Sequence, residues 1–223
     1  MIKKPRPLLS EGFTIVELMV ATLVFSVVLL LVTFGVLQVT RTYYKGLTEI
    51  DNQTTARNIV DSISRAIQFG GNVQQVVATN PGDIGVICVG NQQFSYRLGW
   101  EVTDSTPVTT NHETPHALYV TDSVANCTGN IPNLAITTLS GGKELVGSRM
   151  RLAKLSVMPV AGNTSLYKVT VKVVYGDDDL LLSPTDNTTA GPTMPDIKCQ
   201  NFQAGTQFCA VSELTAVVEK RVK

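Results

Sequence analysis

The chain has 223 residues, 43% hydrophobic and 16% charged, with a formal net charge of zero. That length accommodates one membrane helix and one globular domain of about 150 residues with a real core. Balanced charge argues against the basic footprint of a nucleic-acid binder, and no phosphate-cradling G-x-x-x-x-G-K-S/T loop is present.

Residues 1–12 form a short leader carrying Lys3, Lys4 and Arg6 and ending in Gly12. Without them the balance is 15 basic against 17 acidic residues. After Glu17 no formal charge appears until Arg41, so residues 18–40 are an unbroken run rich in Leu, Val and Phe. Roughly 20 such residues suffice for a membrane-spanning helix, predicted here over 13–40. A carboxylate at its head costs on the order of 2.5–3.5 kcal/mol if it reaches the bilayer centre, so Glu17 asks for a partner. The basic leader predicts a cytoplasmic N-terminal side and an exported C-terminal part, although Arg41 and Lys45 on the far flank weaken that bias. An ordinary secretory signal is cut after its apolar core. Here Gly12 precedes the apolar run.

Residues 41–69 continue as an amphipathic helix. Tyr43, Leu47, Ile50, Ala56, Ile59, Ile63 and Ile67 recur at three- and four-residue spacing between Lys45, Glu49, Arg57, Asp61 and Arg65. Gly70-Gly71 supplies a C-cap. A helix from Phe13 to Phe69 would be a rod of roughly 85 Å at ~1.5 Å per residue. No Pro interrupts its membrane half, but Gly35 offers a point of local loosening. Thr14, Thr22, Ser26 and Thr33 are candidates for helix-to-helix packing.

From residue 70 to 223 the periodicity becomes two, predicting a β-rich head and an α+β fold. Strands are expected over 84–89, 94–100, 117–121, 134–139, 149–157, 166–175 and 208–222. Val169, Val171, Val173 and Tyr175 alternate with Lys168, Thr170 and Lys172, predicting one buried and one wet face. Pro184, Pro192 and Pro195 predict an irregular loop over 176–206. The four cysteines all lie in the part expected to be exported, and an even count there suggests two disulfides. Three connectivities are open. Cys199–Cys209 with Cys88–Cys127 is favoured, because the first pair would staple the polar loop. No C-x2-C pair supports a metal alternative.

Other motifs carry less. His112-Glu113-Thr114-Pro115-His116 matches H-E-x-x-H in letters, yet Pro115 pushes Thr114 away from the helical angles that zinc chemistry needs. It reads as a loop between strands. Asp177-Asp178-Asp179, with Asp186 and Asn187, could offer calcium oxygen ligands, but lacks EF-hand spacing and reads as a solvated turn. Lys143, Arg149, Arg151 and Lys154 read as a solvated strand face. Asn126-Cys127-Thr128, Asn163-Thr164-Ser165 and Asn187-Thr188-Thr189 fit the glycosylation triplet and read as loop composition. Trp100 and the tyrosines read as core. No catalytic residues, metal or cofactor are expected.

The segment Gly12-Phe13-Thr14-Ile15-Val16-Glu17, placed between a basic leader and an apolar helix, resembles the class III signal of type IV prepilins and type II secretion pseudopilins. The resemblance implies cleavage between Gly12 and Phe13 by a prepilin peptidase and N-methylation of Phe13. It also implies an assembly role for Glu17 through the amine of a neighbouring subunit. The fold implied is pilin-like, a long helix packed on the β-rich head, held by the inner membrane as a single pass with that head in the periplasm. The size of the head, the absent helix Pro and the segment Gln207–Leu214 look like PilW-like and J-type minor pilins. Implied partners are other minor pilins, the major pilin and, indirectly, an inner-membrane platform and assembly ATPase. A J-type pseudopilin of a type II secretion system is the alternative, and a bitopic periplasmic zinc enzyme using His112, Glu113 and His116 a more distant one.

Overall fold

A computed structural model describes residues 13–77, 84–99, 101–102, 117–122, 142–182, 197–200 and 205–221. Among these residues one long helix, α1 (Ile15–Gly70), precedes ten strands. The chain divides into two compact units, one ending at Tyr43 and the other running from Tyr44 to Lys223.

In the first unit α1 is apolar on all sides, and its most apolar stretch buries nothing within the chain. By length and composition this helix can cross a membrane. The helix passes through Gly35 without a break.

In the second unit α1 lays Asn52, Ala56, Ile59, Ile63, Ala66 and Ile67 into the core. Leu47 and Ile50 do not join this stripe and are 45% and 64% exposed. At 3.6 residues per turn they point roughly 140–160° away from Asn52, so the three-and-four spacing conceals a change of face near residue 51. The helix ends at Gly70, and Gly71 takes the left-handed conformation (φ 87°).

Two larger antiparallel sheets follow among the described residues. The first is a meander of β1 (Val73–Val77), β2 (Ile84–Val89), β3 (Gln92–Arg97), β4 (Leu118–Thr121) and β5 (Lys143–Glu144), paired in that order. In the second, β7 (Asn163–Tyr175) lies between β6 (Met150–Val160) and β10 (Ala210–Glu219). The helical stripe and both sheets share one core, with Phe94, Leu118, Leu152, Val169, Val171 and Val173 fully buried. β1 lacks clean alternation and β5 has two residues, so neither carries a periodic signal. The expected strand over 134–139 lies outside the described residues.

On the face of β7 expected to be wet, Lys168 is exposed, but the rest of the face is not. Thr170, Lys172 and Val174 are buried along with the valines of the inner face. The cover over Val174 is the segment expected to be an irregular loop. From Gly176 the chain makes a 3-10 turn at Asp178–Leu180, and β8 (Leu181–Leu182) pairs antiparallel with β9 (Lys198–Cys199). Leu180, Leu181 and Ile197 close over Val174 and Ala153 in a second, smaller core. We call this segment the strap. The three prolines do not prevent it, because its regular pieces lie on either side of them.

Candidate functional site

At the head of α1, Thr14 and Glu17 cap the helix reciprocally. The Thr14 amide and its hydroxyl both donate to Glu17 Oε2 at 2.9 Å, and the Glu17 amide donates to Thr14 Oγ1 at 3.3 Å. This is a capping box, two otherwise orphaned donors satisfied by one T-x-x-E step. The role of Thr14 was legible in that spacing, yet the apolar run drew it into the group of packing hydroxyls. Glu17 Oε1 accepts no hydrogen bond among the described residues. Phe13 lies 83% exposed beside it, and Gly12 is outside the described residues.

The other hydroxyls of the apolar run turn inward on their own helix. Thr22 donates to Met19 O, Ser26 to Thr22 O and Thr33 to Leu29 O, at 2.8–3.0 Å. Each polar group is thereby satisfied without leaving the helix, as an apolar surrounding demands.

In the second unit the structure joins Cys199 to Cys209, with Cα atoms 5.8 Å apart. Cys88, on β2, is also disulfide-bonded. Its expected partner Cys127 lies outside the described residues, as do His112, Glu113 and His116. An open cleft of about 350 Å³ between α1 and the strap is lined by Lys45, Glu49, Cys199, Gln200, Cys209, Ala210 and Val211. Beside it, Tyr44 on the helix meets Phe208 with ring centroids 5.8 Å apart.

Of the basic residues read as a solvated face, Lys143, Arg149 and Lys154 are exposed, and Arg151 is buried. Arg151, 1% exposed, donates to Glu101 Oε2 at 2.6 Å and to the Gly176 carbonyl at 3.2 Å. Arg149 donates to Asp177 Oδ2 at 2.6 Å and lies over the Tyr175 ring. The Asp177 carboxylate, by its hydrogen bond and its charge, holds the Arg149 guanidinium above its ordinary range. Arg149 adopts φ 60°, which no other described non-glycine residue does above zero. Asp177, the first of the three adjacent acids, therefore faces an arginine at the base of the strap. Among the described residues no group of three or more His, Cys, Asp or Glu is placed to hold a metal. Lys154 reaches Glu213 at 3.2 Å across the central strand, over Lys172, which is in register with both.

Two further carbonyl and amide contacts were invisible in the sequence. Glu144 accepts from the amides of Ala117, Leu118 and Val146 at 2.9–3.1 Å, tying β4 to the turn after β5. Gln75 donates to Tyr96 Oη at 3.2 Å and accepts from the Val157 amide at 3.2 Å, joining the two sheets. Such long-range contacts leave no periodic trace.

Compared with known protein families, curated proteins and solved structures, the chain finds no match in any of the three.

Proposed function

We propose that this chain is a minor type IV pilin, cut by a prepilin peptidase between Gly12 and Phe13 and incorporated at low copy to start or cap a pilus. The observation that carries this reading is the head of α1, where an exposed Phe and a carboxylate open a helix uncharged from residue 18 to residue 40. Uncut, Phe13 has no amine. Cutting after Gly12 releases one beside a carboxylate whose Oε2 is held by Thr14 while Oε1 accepts nothing within the described residues. A neighbour's amine at Oε1 would shield Glu17 in lipid, where a lone carboxylate is costly. The capping box holds that carboxylate at the helix head. The exposed apolar surface of the first unit would be covered by lipid before assembly and by neighbouring helices after it.

Co-expression with a prepilin peptidase tests the reading. Mass spectrometry is expected to find a mature chain starting at methylated Phe13, and a first residue elsewhere overturns it. Glu17→Val is expected to be cut normally yet enter filaments poorly. In a deletion strain, lost filaments with normal protein secretion are the expected outcome. Intact filaments with lost secretion would assign the chain to a type II secretion pseudopilus instead.

A further inference from the structure

Close to where the uncharged run ends, the second unit presents aromatic and cationic side chains together. Tyr44 is 46% exposed, and Leu47, one turn on along the same side of α1, is 45% exposed. Phe208 meets the Tyr44 ring with centroids 5.8 Å apart and is itself 36% exposed. It closes a 3-10 turn, Thr206–Phe208, and its amide donates to the Gly205 carbonyl at 2.8 Å. The next residue, Cys209, is bridged to Cys199, so the ring is presented on a fixed turn. Lys45 lines the adjoining cleft, and Arg41 precedes it by one turn of the same helix. Neither cation makes an ion pair among the described residues. Glu49, the carboxylate of that cleft, lies one turn farther from the run and accepts from Gln53 at 3.4 Å. Chain connectivity limits how far this patch can be from a bilayer that residues 18–40 cross. From Thr40 to Tyr44 four helical residues advance about 6 Å, and a fully extended chain would reach only about 14 Å. Side chains of a helix lean toward its N-terminus, which brings the Tyr44 ring nearer still. The headgroup layer on each side of the hydrocarbon core is about 5–8 Å deep.

We infer that Tyr44, Leu47 and Phe208, together with Lys45 and Arg41, form a docking face for an anionic bilayer surface. Tyr44, and Phe208 against it, lie at headgroup level, where a ring with an apolar body and a polar tip is most at home. The two cations stand at the same level, and lipid phosphates supply the negative charge that the described residues do not. A phosphate reaches the Lys45 ammonium through the cleft that this side chain lines. Glu49, a turn farther along, is the more distant charge, so the field met by an approaching headgroup is positive. Leu47 adds apolar area next to the rings, as interfacial helices do where they meet the acyl boundary. This end of the second unit is thereby held against the leaflet from which α1 emerges. The inference rests on α1 spanning a bilayer, and not on cleavage at Gly12 or on entry into a filament.

The full chain is reconstituted in vesicles of phosphatidylcholine, alone or mixed with phosphatidylglycerol, that carry a doxyl quencher at a shallow or a deep acyl position. Phe208→Trp adds a fluorophore to the chain's single Trp100, and the signal of the unsubstituted chain is subtracted. The shallow quencher is expected to reduce the added emission and the deep one to leave it nearly unchanged, with the larger effect in the anionic vesicles. Emission that neither quencher touches, in a chain that floats with the vesicles, overturns the inference alone. A chain that floats with neither composition overturns the membrane reading and this inference with it. Lys45→Gln and Arg41→Gln should each lower the ratio of docked to undocked protein in anionic vesicles by about fivefold. A double variant that keeps the preference for anionic vesicles overturns the role of the cations. In the unsubstituted chain, amide exchange over 205–211 should be slower in anionic than in neutral vesicles. Equal rates there overturn the docking face even where the tryptophan variant misfolds.

Discussion

Two buried side chains decide how the second unit responds to changes in its charged groups. Tyr96 is 3% exposed, and burial raises its hydroxyl above the ordinary tyrosine range, while the bond from Gln75 offsets part of that effect. The folded state thus keeps its proton at a pH where the unfolded chain has lost it. The resulting contribution is complete below about pH 10 and is lost as pH rises further. Tyr96→Phe is expected to flatten the alkaline limb of a melting-temperature profile, and to cost about 1 kcal/mol at neutral pH for the lost bond. The Arg151–Glu101 pair answers to a different rule. Glu101→Ala leaves a buried guanidinium without its carboxylate and is expected to cost about 3–5 kcal/mol in chemical denaturation. Asp61→Ala, which opens an exposed pair one helical turn long, should change stability by no more than about 0.5 kcal/mol.

Elements were legible in the sequence where one periodicity ruled for long enough. The apolar run gave α1, and alternation located β2, β6, β7 and β10 to within a few residues. Legibility failed where a second layer intervened. The 168–175 alternation predicts a wet face, but Leu180, Leu181 and Ile197 arrive from a proline-containing segment to cover its Val174 end. Arg151 looks like a surface cation because its partner Glu101 lies 50 residues away. At the candidate site, the Thr14–Glu17 box was readable from its spacing, whereas the cleft beside Cys199 needed the strap to be folded first. Asn52 belongs to this hidden class. It is fully buried on α1, and its amide donates to the Val173 carbonyl at 3.2 Å, beside the irregularity that β6 makes between Leu152 and Lys154. Its Oδ1 has no hydrogen-bond partner among the described residues. Asn52→Leu is expected to cost about 1–2 kcal/mol by losing that donor. Asn52→Asp should cost about 3 kcal/mol or more at neutral pH by burying a carboxylate. The aspartate variant should regain stability as the pH falls and its carboxyl becomes protonated, and denaturation at pH 5 and pH 8 would show the difference.

At the scale of the whole molecule, the first unit carries a continuous apolar surface that is exposed among the described residues. Val28→Arg, near the middle of that run, is expected to weaken membrane retention by about 2.5–3.5 kcal/mol, read as release into the soluble fraction on alkaline carbonate extraction. The order of the strands in the head carries a consequence for synthesis. β6 and β7 are joined by a tight turn and can pair as soon as Tyr175 is available. β10, which pairs Ala210 directly with Tyr175, comes only after the strap. Until then β7 presents a bare hydrogen-bonding edge with Val169, Val171, Val173 and Val174 along it, the kind of edge that recruits foreign strands. A chain made from its N-terminus therefore leaves that edge of β7 uncovered until residues 176–209 have followed. Aggregation during synthesis should be decided by how quickly the last strand arrives rather than by how stable the finished head is.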